Sequence, residues 1–319
     1  MRDLAAWTRL AAPLTTGNVI PCAPLCSLTT LRIGGPAGLV CRVQNVDQAR
    51  EFQAFAARHD LACDRLGGGS NILADDAGFP GLILKVETAA FARRGDTVRA
   101  GAGLPFDGLI AATLREGLVG LEFASGIPGT LGGAVVGNAG CYGHEIGEFV
   151  VEATVLRPDG RVVTVGPEGF GFSYRDSALK ATRAVVLDIV LQLRPGDAGA
   201  AAARRDELIA DRRRKHPWDQ PTAGSWFKNL PPTEPGGRRQ PAGALLEAVG
   251  AKDMREGDAA VFARHANIIV NTGAATSADV LRLADRMRTA VWERFQIELE
   301  PEVRHLGPRD ATSASGNAD

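Results

Sequence analysis

What this chain lacks narrows it first. Its five cysteines, Cys22, Cys26, Cys41, Cys63 and Cys141, form no C-x-x-C pair and are odd in number. Neither a zinc site nor a disulfide framework is indicated, and no metal is expected. No apolar run reaches the roughly 20 residues of a membrane-spanning helix. The first residues lack the charged, apolar and small-residue order of a secretory signal. The expectation is a cytoplasmic protein with no membrane partner. Charge excess is missing too: 36 Lys and Arg against 37 Asp and Glu leave a net of −1. No bulk basic field therefore argues for a nucleic-acid partner. The densest basic run, Arg212-Arg213-Arg214-Lys215, reads as the solvated end of a helix, where cations are favoured. The dinucleotide fingerprint G-x-G-x-x-G fails, because Gly101 and Gly103 are followed by Phe106 where the third glycine belongs. No acidic residue closes a strand at the expected distance either, which disfavours a Rossmann domain. Internal repeats are absent.

What is present is 319 residues, 45% of them hydrophobic, enough for two domains or one large one with ample core. The chain is organised around Gly126-Ile-Pro-Gly-Thr-Leu-Gly-Gly-Ala-Val-Val-Gly-Asn-Ala-Gly-Cys-Tyr-Gly143, which carries no charged side chain. Glycine loses more backbone freedom on ordering than any other residue. A run this dense marks sharp turns or close approach to something large. The interleaved Ile127, Leu131, Val135 and Val136 argue against a flexible linker. One reading is a backbone cradle for an extended, phosphate-containing cofactor. The other is a tight crossing between packed elements. A second candidate phosphate loop, Gly67-Gly-Gly-Ser-Asn71, follows the strand-like Leu61-Ala-Cys-Asp-Arg-Leu66.

Residues 1–26, with prolines at 13, 21 and 24, read as an irregular surface extension. Leu39-Val-Cys-Arg-Val43, Leu82-Ile-Leu-Lys-Val86, the segment from Thr97 and Ala184–Leu193 read as strands. Asp47 is expected to cap a helix to about His59, and 105–116 is helical. Residues 149–165 form a hairpin around Arg157-Pro-Asp-Gly160. The strand pattern ends at Arg194-Pro-Gly-Asp-Ala-Gly199, the expected domain boundary, and an Ala/Arg-rich helix runs over 200–215. A helix over 242–249 and a strand over 265–271 follow. Thr276 and Asp279 make a capping box for a long helix whose Val280, Ala284, Met287, Val291 and Phe295 form one apolar face. Residues 297–304 read as the last strand, and 308–319 as a disordered tail. Strand-rich first and smaller second, this is an α+β architecture of two domains rather than alternating βαβ.

Four motifs far apart in sequence together resemble the UDP-N-acetylenolpyruvoylglucosamine reductases, the MurB family of flavoenzymes. They are Leu66-Gly-Gly-Gly-Ser-Asn71, the long glycine segment, Tyr174-Arg-Asp-Ser177, and Gly224-Ser-Trp-Phe-Lys-Asn229 with Glu300-Pro-Glu-Val-Arg304. Thr30-Leu-Arg-Ile-Gly-Gly35 and His265-Ala-Asn-Ile-Ile-Val-Asn-Thr-Gly273 extend the likeness over about 27–307. The resemblance implies an FAD-binding domain of the vanillyl-alcohol-oxidase (PCMH) type over 27–195 and a substrate domain over 204–307. It implies non-covalent FAD held by Gly67, Gly68, Gly69, Ser70, Asn71, Gly126, Ile127, Pro128, Gly129, Thr130, Gly133 and Asn138. NADPH would be the reductant and a UDP-linked enolpyruvyl sugar the substrate, on a monomeric enzyme.

By the same resemblance Ser225 donates a proton to C2 of the enolpyruvyl group, Arg175 meets its carboxylate, and Glu302 completes the set. Glu302 would be either protonated or the holder of Arg175 or a water. Alternation along a strand would put Glu300 on the same face, and the Glu-Val-Arg motif selects Glu302. Tyr142, Lys215, Lys228 and Asn229 are implied substrate contacts. Trp226 and Gly257-Asp258 depart from the usual pattern. The short separation of Leu193 from Ser225 leaves no room for the extra tyrosine-bearing loop of one branch, which points to the shorter, type II branch. Two other readings compete. One is an oxidase of the same superfold with flavin tethered to a histidine, for which His144 is nearest. The other is a non-catalytic regulator, against which Ser225, Arg175 and Glu302 together argue.

Overall fold

A computed structural model describes residues 3–14, 18–234 and 237–308. Of the expected tail, 309–319 lie outside the described residues. The architecture is α+β. Its first sheet runs in the order Val19–Pro21, Ala37–Val43, Phe79–Val86, Cys63–Leu66. The last three strands are parallel to one another, and the apolar run Leu82, Ile83, Leu84 is almost fully buried, as a parallel strand covered on both faces requires. The helix Val46–Arg58 covers that sheet with Ala49, Phe52, Phe55 and Ala56. Its cap is Asn45, whose side chain accepts from the Gln48 amide at 2.9 Å. The expected cap, Asp47, instead sits in the first turn, where its charge suits the helix dipole.

A second sheet, wholly antiparallel, runs Val162–Val165, Val150–Leu156, Val185–Gln192, Thr97–Gly101, Phe91–Arg94. The two sheets share one hydrophobic core that includes Leu39, Phe52, Leu82, Val98 and Ile189. A third, four-stranded sheet, in the order Thr222–Ser225, Ile268–Asn271, Ala259–Val261, Arg255–Glu256, belongs to the C-terminal unit. The helix Ser277–Phe295 packs on it through Val280, Leu283, Ala284, Met287 and Val291, starting from the expected Thr276–Asp279 capping box. Among the described residues, no helix is long and apolar enough to cross a membrane.

Three expectations need correction. The N-terminal segment is not irregular throughout: Leu4–Ala11 is a helix whose first turn is held by Asp3, which accepts from the Ala6 amide at 2.7 Å. Its Trp7 is buried against Gly38, where any β-carbon would fall 2.3 Å from the indole. Residues 297–303 are not a strand. They meet a neighbour at one isolated bridge, Phe227 opposite Pro301, and only Arg304–Leu306 is extended and paired. The helix Ala198–Lys215, expected from residue 204 on to belong to the second unit, lies on the first: Arg205 pairs with Asp107 at 2.5 Å and Arg212 Nε donates to the Gly126 carbonyl at 3.3 Å.

The two units interlock. Leu31, Ile33 and Leu73 from the first half belong to the C-terminal core. In return, Arg304–Leu306 pairs in parallel with Ile72–Ala74, and Leu306 is fully buried in the first half.

Candidate functional site

The strand Cys63–Leu66 ends beside Lys85, its register partner at Leu66, and the Lys85 ammonium donates to the Gly67 carbonyl. From there the first glycine loop presses on the second. A β-carbon at Gly67 would lie 2.5 Å from Thr130 Oγ1, and one at Gly68 2.5 Å from Gly129 Cα. Ser70 Oγ donates to the Pro128 carbonyl at 3.0 Å. Gly69 turns at φ +66°, and a β-carbon there would strike the Leu28 carbonyl at 2.1 Å. Close crossing is therefore one reason for the glycines. A cradle is the other: among the described residues, no main-chain carbonyl or side chain accepts from the amides of Gly68, Gly69, Ser70 or Gly129. Amides left without a protein acceptor on two abutting, partly buried loops are donors open to a ligand, and an anion satisfies them at about 1.5–3 kcal/mol per bond.

The rest of the long segment does framework work. The Gly126 amide donates to Asp107 at 2.9 Å and that of Ile127 to the Ala124 carbonyl. Thr130 caps the short helix Leu131–Val136, its hydroxyl accepting from the Gly133 amide. Asn138 is buried at φ +43° with its amide fully engaged. It donates to Glu145 at 2.6 Å and to the Ser173 carbonyl at 2.9 Å, and it accepts from the Gly147 amide at 3.1 Å. Its link to Ser173 anchors the turn that carries Arg175.

That turn is tight. Ser173 and Asp176 exchange both main-chain hydrogen bonds, leaving Tyr174 and Arg175 at its tip. Arg175 sits at φ +57°, a conformation that costs a non-glycine residue about 1 kcal/mol or more. Lys180 donates to its carbonyl. Arg175 Nε lies 3.0 Å from Glu302 Oε1, an ion pair by distance whose N–H is not aligned for a hydrogen bond. Burial lifts the Glu302 carboxyl above its ordinary range, and Arg175, Lys180 and Lys228 only partly offset this.

Glu302 reaches Ser225 through the backbone. Its amide donates to the Trp226 carbonyl at 2.8 Å, and the Asn71 side chain donates to its carbonyl at 3.1 Å. Ser225 ends the strand Thr222–Ser225 just after a one-residue bulge, made possible by Gly224 at φ +82°. Bulges re-aim the side chain that follows. Asn267 grips the next residues: it exchanges side-chain bonds of 2.9 and 2.8 Å with Phe227, and its carbonyl accepts from the Trp226 amide at 2.7 Å. The structure thus gathers Ser225, Arg175, Glu302 and Asn71 and separates Glu300, which is exposed and pairs with Lys228.

The remaining expected contacts fall into two groups. Tyr142, at φ +53°, donates to Asp211 Oδ2 at 3.0 Å, and Lys215 reaches the same oxygen at 2.7 Å. These bonds, that from Lys215 foremost, hold Asp211 down at about 2. Asn229 faces the turn instead, its amide 3.3 Å from the Tyr174 hydroxyl and its Oδ1 accepting from the Ala242 amide at 3.2 Å. Cys141 joins the groups: burial raises its thiol, and Arg212 and Arg175 are close enough to draw it partly back. His144 is engaged with Glu148 at 2.9 Å and lies against the Phe123 ring. Sequence reasoning missed Lys85 and Thr30. Lys85 was legible as the one charge in the apolar run Leu82–Val86. Thr30, whose hydroxyl donates to the Thr222 carbonyl at 2.6 Å and whose amide donates to the Gly69 carbonyl, shows only once the fold joins the two.

Comparison with known proteins decides the family. Residues 216–306 match the model of the UDP-N-acetylenolpyruvoylglucosamine reductase C-terminal domain, and 37–166 that of an FAD binding domain. A curated UDP-N-acetylenolpyruvoylglucosamine reductase of Moorella thermoacetica is 41% identical over 94% of this chain and 98% of its own length. The chain belongs to this reductase family. A second such enzyme, from Symbiobacterium thermophilum, is 41% identical over 91% of this chain and 93% of its own. The crystal structure of the MurB reductase from Thermus caldophilus superposes with a TM-score of 0.75 at 32% identity, covering 90% of this chain and 97% of that one.

Proposed function

We propose that this protein reduces the enolpyruvyl group of UDP-N-acetylenolpyruvoylglucosamine to the lactyl ether of UDP-N-acetylmuramate, with FAD as cofactor and NADPH as reductant. The observation that carries this is the joining of two features: the unpaired amides of Gly68, Gly69, Ser70 and Gly129, and the Arg175–Glu302 pair one residue across from Ser225. The residues fit the cofactor, since a pyrophosphate supplies the acceptors those amides lack. Bound there, FAD would carry hydride from NADPH to C3 of the enolpyruvyl group.

The chain's own residues supply the rest. Hydride arrival at C3 builds negative charge at C2 and in the adjoining carboxylate. Arg175, a planar fork held in place by its turn, meets that carboxylate. Glu302, whose protonation burial favours, lies 3.0 Å from Arg175 Nε and holds that guanidinium beside the carboxylate. Ser225 gives C2 its proton; a hydroxyl is a weak acid, but carbanionic C2 is a strong base, so the transfer runs downhill. Tyr142, Lys215 and Lys228 are assigned to the UDP-sugar, and Asn229, whose amide and side chain are engaged with Tyr174 and Ala242, to support of the Arg175 turn. The reaction is assigned to the cytoplasm and to a monomer, the latter checked by sedimentation equilibrium.

The test is a visible spectrum without oxygen. Flavin bands should bleach with NADPH and return on adding the UDP-enolpyruvyl sugar. Bands that return only with oxygen would indicate an oxidase, and a protein that takes up no FAD would overturn the cofactor assignment. In Ser225→Ala, bleaching should persist while reoxidation by the sugar slows about 10²–10⁴-fold, the usual scale of general-acid help. Equal losses in both half-reactions would remove Ser225 from its role.

A further inference from the structure

Arg239 takes no part in the reaction as described, yet it makes the closest cation–ring contact near the site. Its Cζ lies 3.8 Å from the centroid of Tyr174, the residue before Arg175. The same guanidinium donates to the Asn229 carbonyl through Nε at 3.2 Å and Nη2 at 2.8 Å. Asn229 closes the triangle by donating its amide to the Tyr174 hydroxyl at 3.3 Å. Arg239 is itself fixed. The neighbouring Gln240 exchanges both main-chain bonds with Leu230, at 3.0 and 3.2 Å.

The triangle ties together the two pieces on which the chemistry depends. One is the turn that carries Arg175 in its left-handed conformation. The other is the segment that runs from Ser225, at the end of its strand, through Asn229. Arg175 touches the same ring from farther off, its Cζ 5.4 Å from the Tyr174 centroid. If Tyr174 shifts, Arg175 shifts with it. A planar guanidinium stacked on the ring and forked onto a carbonyl is a stiff brace, which a lysine's point charge on a flexible stem does not reproduce.

We propose that Arg239 is a positioning residue: through Tyr174 and Asn229 it holds Arg175 in register with Ser225 and Glu302. The proposal rests on the reductase reading above. Its consequence is specific, because misplacing a carboxylate clamp affects the step in which charge develops more than the binding that precedes it.

The test is a double-mutant cycle on flavin reoxidation, using Arg239→Met, Arg175→Lys and the double variant, each loaded with FAD. Arg239→Met should leave bleaching by NADPH unchanged and slow reoxidation by the UDP-enolpyruvyl sugar about tenfold or more, with little change in the sugar's half-saturating concentration. In the Arg175→Lys background, the same change should cost less than about threefold, because residues acting through one another are not additive. Arg239→Lys should fall between wild type and Arg239→Met, and it carries the cycle if the Met variant does not fold. Losses that multiply, or a raised half-saturating concentration with a normal limiting rate, would make Arg239 a direct substrate contact and overturn the proposal. Wild-type reoxidation with unaffected variants would overturn it as well. A wild-type protein that the sugar does not reoxidise would instead sink the reductase reading.

Discussion

A carboxyl beside a guanidinium ordinarily ionises more easily, yet Glu302 goes the other way. Burial disfavours its charged form more than Arg175, Lys180 and Lys228 favour it. A carboxyl whose native pKa is raised contributes stability that is fully present below its unfolded value and lost as pH rises through the native one. Glu302→Gln, which mimics the neutral acid, should therefore raise the denaturation midpoint at about pH 8 and leave it unchanged at about pH 4. A midpoint lowered at the higher pH would show that the Arg175 pair outweighs burial. The same variant should slow reoxidation by the sugar, since an amide cannot exchange a proton with Ser225 or a water. Stability and turnover would then move in opposite directions, as they do where a site holds a group in an environment the fold does not favour.

At the scale of elements, the two glycine loops are one device, and their glycines are not equivalent. Gly68→Ala would drive a β-carbon into the Gly129 backbone at 2.5 Å and part the loops that present the unpaired amides. Gly133 lies in a helix, with only Thr130 Oγ1 at 3.6 Å from its would-be β-carbon. FAD titration of the apoprotein should show binding weakened at least about tenfold for Gly68→Ala. Gly133→Ala should bind normally and gain up to about 1 kcal/mol from helix propensity. Weakened binding in Gly133→Ala would place that residue against the cofactor. The loops were legible in the sequence because glycine density carries a backbone requirement directly. So was the helix Ser277–Phe295, where apolar period and capping box agree. The helix Leu4–Ala11 was hidden by the prolines that follow it, and its one deeply buried residue, Trp7, finds its partner across the chain at Gly38. Residues 297–303 alternate like a strand, but only Pro301 makes a bridge, and proline cannot donate to a ladder. Ser225, Arg175 and Glu302 were singled out by motif, and the fold brings the three close together. Arg239 was not, because what it does depends on Tyr174, far away in sequence.

The whole molecule is less divisible than its two family-model matches suggest. The C-terminal core includes Leu31, Ile33 and Leu73, and Asp76 accepts from the amide and hydroxyl of Ser277 at 2.7 and 2.8 Å, at the start of the long helix. The chain then returns to close the first unit. The Arg304 guanidinium pairs with Asp64 at 2.6 Å, and Leu306 enters the core beside Leu66, Ile72 and Ile83. This return lies next to the glycine loop, since the Arg304 amide donates to the Asn71 carbonyl. The site is thus built across a seam that both units must complete, and each unit lends buried apolar residues to a core of the other. Unfolding should be a single transition, with FAD release followed by flavin fluorescence coinciding with loss of secondary structure followed by far-ultraviolet circular dichroism. Leu306→Ala, which empties a fully buried position, should lower stability by about 2–5 kcal/mol and move both signals together. Two separate transitions in either protein would mean that the seam is a contact between independent domains, and that bringing Ser225 beside Arg175 and Glu302 depends on their docking rather than on a shared core.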